Sequence, residues 1–353
     1  MEKKTDGKGN SGFKFNEFVL NSLTEIYVSK ERGYMLSYIH AYHAGNHADI
    51  LKHLTISLIL EHLRKKEKPF CVIDTHSGSG LYDLHDARAQ KTGEASTGVE
   101  KILTQINTDE QEDVFNPQIH TDFHRLYSSK IGAKLCISVD KFMGILSDYY
   151  ARGQYPGSPL IENAFLRQGD EQILCELHPT AFEELRECFY EKKIACKESG
   201  KAFFEPALHK RDGYELLSAI TPPKIKRGLA IVDPSFEDAS DFEKCAEVIS
   251  RVHKKWSAGI IALWYPLVAH RSAEISTMKE RIAASVEASE PKVLDIQMEV
   301  KRKEDMTGLS SLYGSGMFIV NFPYQLDAQM REILPALSEI LGETAHEWSV
   351  ETR

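Results

Sequence analysis

Along residues 48–63 the apolar positions Ile50, Leu51, Leu54, Leu58, Ile59 and Leu63 recur every three or four residues. That spacing predicts a helix. A charged exit at 64–68 and then Pro69 end it. Directly after, Phe70-Cys71-Val72-Ile73-Asp74 reads as a short buried strand that stops at a glycine-bearing turn. Five further apolar runs have the same character, at 172–176, 228–233, 259–264, 293–300 and 316–321. Helical patterning separates most of them, for example at 179–190, 213–219 and 241–255. Strands alternating with helices imply an α/β fold, a mostly parallel Rossmann-like sheet covered on both faces.

The alternation breaks between residues 80 and 172, where no run is as strong and the stretch is long and polar. A simple βαβ crossover needs only about 30 residues. Residues 84–152 are therefore expected to be an inserted, helical subdomain, with 35–83 and 153–353 forming the core. Tyr155-Pro156-Gly157-Ser158-Pro159 marks the return, because paired prolines around Gly-Ser favour a turn. Residues 1–12 are rich in Lys, Gly and Asp, and 13–27 could make one short helix. The pattern starts afresh at Met35, so residues 1–34 are expected to be a dispensable extension.

Composition narrows the function classes. With 43 Lys+Arg against 52 Asp+Glu, the net charge is −9, which disfavours a protein that coats nucleic acid non-specifically but permits a local basic face. Candidate basic spots are Arg64-Lys65-Lys66, the trio Lys224, Lys226 and Arg227, and Lys301-Arg302-Lys303. No run of 18 uncharged apolar residues is present, which excludes a membrane helix. The first ten residues carry no apolar signal core. Cys71, Cys136, Cys175, Cys188, Cys196 and Cys245 are scattered without a C-x-x-C pair, which suits reduced thiols in a cytoplasmic protein.

Candidate chemistry sits where strands end. Asp74-Thr75-His76-Ser77-Gly78-Ser79-Gly80 follows a strand, and such glycines either let backbone approach a nucleotide-like ligand or simply make a tight turn. Glu176 ends the next strand, where a carboxylate can accept ribose hydroxyls or merely face solvent. Asp212, in Arg211-Asp212-Gly213, could contact an adenine amine or cap the following helix. Asp233-Pro234-Ser235-Phe236 is similar to the D/N-P-P-Y/F signature of amino-group methyltransferases, with Ser235 in place of the second proline. A carboxylate and a carbonyl accepting both amine hydrogens would aim the nitrogen lone pair at a methyl donor. Proline would set the carbonyl direction, and an aromatic ring would stack on the extruded base. The stretch His40, His43, Asn46, His47, Asp49, Lys52 and His53 admits a metal site, a polar helix start or the lining of a ligand site. It contains no H-E-x-x-H, and no metal is expected.

Taken together, Met35-Leu36-Ser37-Tyr38, His43-Ala44-Gly45-Asn46-His47-Ala48-Asp49, Asp74-Thr75-His76, Tyr155-Pro156-Gly157-Ser158-Pro159, Glu176-Leu177-His178-Pro179 and Ala262-Leu263-Trp264-Tyr265-Pro266 resemble the RlmJ-type 23S ribosomal RNA (adenine-N6)-methyltransferases. Members of that family have also been described as proteins for catabolism of external DNA. The resemblance implies a class I S-adenosylmethionine-dependent methyltransferase fold and methyl transfer to N6 of one adenine in 23S rRNA, protein-free or partly assembled, with no obligate protein partner. It further implies that His53, His76, Ser158, Glu176, Asp212, Gly213 and Asp233 bind the cofactor, that Asp233 is catalytic, and that Tyr38, Pro234 and Phe236 meet the RNA. The competing expectation is a nucleic-acid-handling protein, such as a metal-dependent nuclease, in catabolism of external DNA.

Overall fold

The first apolar stripe forms helix α1, His47–Arg64, whose N-terminus is capped by Asn46: its Oδ1 accepts the Asp49 N–H at 3.0 Å. The computed structural model describes residues 39–105, 133–286, 292–306 and 312–353, and its elements lie in one compact unit, His40–Arg353. After α1 come β1 (Cys71–Asp74), β2 (Leu81–Asp83), α2 (Ala87–Thr92), α3 (Ala133–Tyr150), β3 (Gln154–Pro156) and α4 (Ser158–Phe165). Then follow β4 (Glu171–Glu176), α5 (Pro179–Glu198), β5 (Ala207–Lys210), α6 (Gly213–Ile220), β6 (Gly228–Val232) and α7 (Ser240–Lys255). The chain closes with β7 (Ile260–Val268), α8 (Ser272–Ser285), β8 (Val293–Glu299), β9 (Leu312–Val320), α9 (Leu326–Leu341) and β10 (Trp348–Thr352).

Eight strands form one sheet in the order β10-β8-β9-β7-β6-β1-β4-β5. From β7 to β5 every pairing is parallel, whereas β9 pairs antiparallel with β7 and with β8, and β10 antiparallel with β8. This is the class I S-adenosylmethionine-dependent methyltransferase fold that the resemblance implied. β1 and β6 are buried at every residue, as central strands covered on both faces must be. On one face Ile73, Val232, Leu263 and Tyr265 pack in a single cluster with Phe242, Ile249 and Val252 of α7 and with Met278 and Ile282 of α8. Truncating such a residue costs about 2–5 kcal/mol.

On the other face α1 packs against β9, α3 and α4. Because α3 and α4 cover the side of α1 that a simple amphipathic helix would leave wet, Asp49, Lys52 and His53 are buried along with its leucines. The stretch 84–152 contributes α2 and α3 and is bracketed by a small antiparallel ribbon, with Leu81 opposite Pro156. The expected turn at 155–159 resolves differently: Tyr155-Pro156 finish β3, and Gly157 caps α4 with Pro159 in its first turn. The extension 1–34, the helix expected at 13–27, and Tyr38 lie outside the described residues. No helix among the described residues is long and apolar enough to cross a membrane.

Candidate active site

The parallel strands deliver Asp74, Glu176, Asp212 and Asp233 to one edge of the sheet, the carboxyl edge at which α/β folds bind ligands. The turn after β1 is pinned from several sides. Asp74 Oδ1 accepts the His76 N–H at 3.1 Å, and its Oδ2 accepts the Ser158 hydroxyl at 2.7 Å. Gly78 has φ +59°, and a Cβ there would collide with the Tyr82 hydroxyl, so glycine is required. Its N–H donates to Glu176 Oε2 at 2.8 Å, while the His178 N–H donates to Oε1 at 2.7 Å. Burial raises the Glu176 pKa against the pull of these N–H groups.

Asp212 caps α6, accepting the Glu215 N–H at 2.9 Å on Oδ1, so the capping reading is realised. Gly213 abuts the Thr75 carbonyl so closely that any Cβ would clash, which locks α6 against the β1 turn. His76 Nδ1 lies 2.7 Å from Thr75 Oγ1, and its ring meets Tyr214 edge-on at 5.2 Å. Burial pulls His76 down to about 4, so the ring is neutral. His53, on α1, is buried and stacked on Tyr155 with Nδ1 2.8 Å from the Tyr155 hydroxyl, and burial pulls it down to about 3.

Asp233, just past β6, is tied to α1. Lys52 Nζ lies 2.7 Å from Asp233 Oδ2 and 2.9 Å from Asp49 Oδ1. Asp49 Oδ2 in turn accepts the Gly45 N–H at 2.9 Å and contacts His40 Nε2 at 3.0 Å. Burial works against the Lys52 charge, but the carboxylates of Asp233 and Asp49 outweigh it and hold the ammonium well above the usual lysine range. The result is a buried relay of alternating charge that ends on the oxygen of Asp233.

Beyond it, Pro234 is buried and Ser235 exposed. Phe236 adopts φ +54°, a left-handed conformation costing an aromatic residue about 1–3 kcal/mol. Its ring is 8% exposed, 4.6 Å from Phe242 and 6.1 Å from Trp264. Trp264, which follows the Val232–Leu263 register pair and so lies beside Asp233, is only partly buried.

Of the remaining histidines in the 40–53 stretch, His47 is buried with its Nε2 unpartnered and His43 joins a side-chain network. His43 Nδ1 sits 2.8 Å from Glu94, whose other oxygen accepts Asn46 Nδ2 at 2.9 Å. Among the described residues no three His, Cys, Asp or Glu side chains converge as a metal site would need. The acidic strand ends and the glycine turn instead suit a cationic nucleoside. Burial lowers His47 to about 4 as well as His53 to about 3. A lowered histidine pKa leaves stability intact above its unfolded value of about 6.5 and removes it as pH falls towards the folded value, at up to about 1.4 kcal/mol per pH unit per group. Denaturant midpoints should therefore drop between pH 6.5 and 4, and His53→Gln should flatten that slope.

Sequence patterning places Asp49 and Lys52 within a histidine-rich stretch without assigning either a role. The signal present in α1 is an Asp and a Lys three apart among the leucines and isoleucines of its first half, charges that burial would force into a pair.

The family described as Ribosomal RNA large subunit methyltransferase D, RlmJ, matches residues 67–122 and 133–353. The Escherichia coli (strain K12) protein named Ribosomal RNA large subunit methyltransferase J is 34% identical over 307 residues, spanning 86% of this chain and 93% of its own. A Haemophilus influenzae protein of the same name is 36% identical over 322 residues, 90% of this chain and 98% of its own. The crystal structure of protein LPL1258 from Legionella pneumophila str. Philadelphia 1 shares the fold with a TM-score of 0.67 at 24% identity, covering 88% of this chain and 98% of that one.

Proposed function

The chain belongs to the RlmJ family of ribosomal RNA large subunit methyltransferases, and on that premise we propose that it methylates the N6 amine of one adenine in 23S rRNA, using S-adenosylmethionine. The observation that carries this reading is Asp233, held by Lys52 at the carboxyl edge beside the β1 turn. The nuclease alternative finds no support in a family of named methyltransferases.

When bound, S-adenosylmethionine supplies a methyl group made electrophilic by its sulfonium. The protein's own task is then to hold a weakly nucleophilic amine in line. Asp233, oriented by its pairing with Lys52, accepts one amine hydrogen, and the Pro234 carbonyl accepts the other. Ser158, Glu176, Asp212 and Gly213 lie on the cofactor half of the edge, with His76 as a neutral wall. His53 Nδ1 is held 2.8 Å from the Tyr155 hydroxyl. Glu176 takes the ribose hydroxyls in this reading, which the Gly78 and His178 N–H groups support by orienting its two oxygens. Glu176→Ala should weaken cofactor binding by about 1.5–3 kcal/mol, the worth of hydrogen bonds to a charged group. Calorimetry showing unchanged affinity would remove Glu176 from the site.

The sheet order also sorts the basic spots. Arg64-Lys65-Lys66 closes α1 and the trio Lys224, Lys226 and Arg227 precedes β6, both at the amino edge, away from Asp233. Arg227 is spent on the Leu63 and Lys68 carbonyls. By contrast β8 runs in the direction of β7, so Lys301-Arg302-Lys303 leaves at the same edge as Asp233, and Lys303 Nζ reaches Ser272 Oγ at 3.2 Å. Alanine at all three positions should weaken RNA binding and make its salt dependence shallower by about 1 for each phosphate no longer neutralised. Alanine at Lys224 and Lys226 should change neither. Equal losses from both sets, read by filter binding across a salt series, would displace the RNA from this edge.

A further inference from the structure

Beneath the cofactor half of the edge lies a polar network that the proposed reaction leaves unused. Glu162, on α4 one turn beyond Ser158, is 0% exposed, as is Asp74. Ser158, which donates to Asp74, and Glu162 are four residues apart on α4 and so share a face, which sets the two carboxyl groups side by side. The far side is fixed: Gln172 Nε2 donates to Glu162 Oε2 at 2.8 Å and to the Pro159 carbonyl at 2.9 Å, and Asn163 Nδ2 donates to Gln172 Oε1 at 2.9 Å. Glu162 Oε1 is buried and receives no donor.

Ionised carboxylates only accept, so two of them in contact need a proton between them. Asp74 has a donor on each oxygen, from Ser158 and from the His76 N–H, and this favours its ionised form. Glu162 has only the Gln172 amide, on the other oxygen. Asp233 and Glu176 face Asp74 with further negative charge, while Lys52 is engaged by Asp49 and Asp233. Burial, and then the Asp74 charge, push Glu162 well above the usual carboxylate range.

We infer that Glu162 is a positioning residue: it stays protonated at neutral pH and donates its Oε1–H to Asp74, fixing that carboxylate under the β1 turn. Only the functional consequence of this role rests on the proposed cofactor reading. A neutral Glu162 keeps the edge one charge less negative and leaves Asp74 with three donors, a rigid base for the turn through Ser158 and His76.

Two substitutions separate this role from mere packing. Glu162→Gln keeps shape and donor, since its amide can face Asp74 while its oxygen accepts Gln172. Glu162→Leu removes the donor. By calorimetry with S-adenosylmethionine, Glu162→Gln should bind within about threefold of wild type and Glu162→Leu at least about tenfold more weakly, the loss of one hydrogen bond to a charge. An infrared difference spectrum, wild type minus Glu162→Gln at pH 7, should show a protonated-carboxyl C=O band. Absence of that band, Glu162→Gln binding as poorly as Glu162→Leu, or Glu162→Leu binding like wild type would each overturn the inference. If Glu162→Leu does not fold, the band and the Glu162→Gln affinity decide. A wild-type protein that binds no S-adenosylmethionine would sink the proposed function instead, and the band would still report on Glu162.

Discussion

Asp233→Ala is expected to lower methyl transfer by at least about a thousandfold, the upper range for losing one preorganised polar group at a reacting centre. The effect should fall on turnover. The cofactor half of the edge, built on Asp74, Glu176 and Asp212, is left in place, so cofactor affinity should change by less than about tenfold. The protein should stay folded, because Lys52 retains Asp49 at 2.9 Å and is not left as a lone buried charge. Asp233→Asn keeps one acceptor oxygen and should retain more turnover than Asp233→Ala. Single-turnover rates, with circular dichroism to check folding, separate these cases.

Lys52→Met should cost more stability than any other change at the site. Lys52 is 4% exposed and bridges two carboxylates, of which Asp49 is 2% exposed. Removing one partner of a buried ion pair costs about 3–5 kcal/mol, because the charge left behind cannot be rehydrated. His40 and the Gly45 N–H remain on Asp49 and keep the loss from being larger. Turnover should fall as well, since Asp233 loses the contact that orients it. The pH dependence follows from the two shifts. Lys52 is raised, so its contribution is full below the ordinary lysine value of 10.5 and is lost only as pH climbs through the higher folded value. Asp49 is lowered despite burial, chiefly by His40 and Lys52, so its contribution is full above 3.8 and is lost as pH falls through the lower folded value. The defect should therefore be constant between about pH 5 and 9. A Lys52→Met protein with wild-type denaturant midpoint would show that the pair contributes nothing to the fold.

The parallel core was legible because its strands are continuous apolar runs and its helices keep a clear period. What escaped were elements whose signal is tertiary. β5 is four residues long with no buried position, and β10 pairs only at an outer edge, so neither carries an apolar run. The β2–β3 ribbon joins segments more than seventy residues apart, and no local pattern announces it. The strand-end carboxylates were found because position after a strand is itself a signal. The role of Lys52 carries no such signal, since a lysine in a helix ordinarily snorkels to solvent, and only the covering of α1 by α3 and α4 forces it onto Asp233. Phe236 carries a second such case: its residue type suggests a stacking platform, but neither its left-handed backbone nor its contact with Phe242 is announced by any local pattern.

The most direct measurement is transfer of a radiolabelled methyl group from S-adenosylmethionine to unmodified large-subunit ribosomal RNA, followed by digestion to nucleosides. The expected result is label in N6-methyladenosine, at one position per RNA, and none above background with folded Asp233→Ala. Label in a different nucleoside, or a folded Asp233→Ala protein methylating at a near wild-type rate, would contradict it.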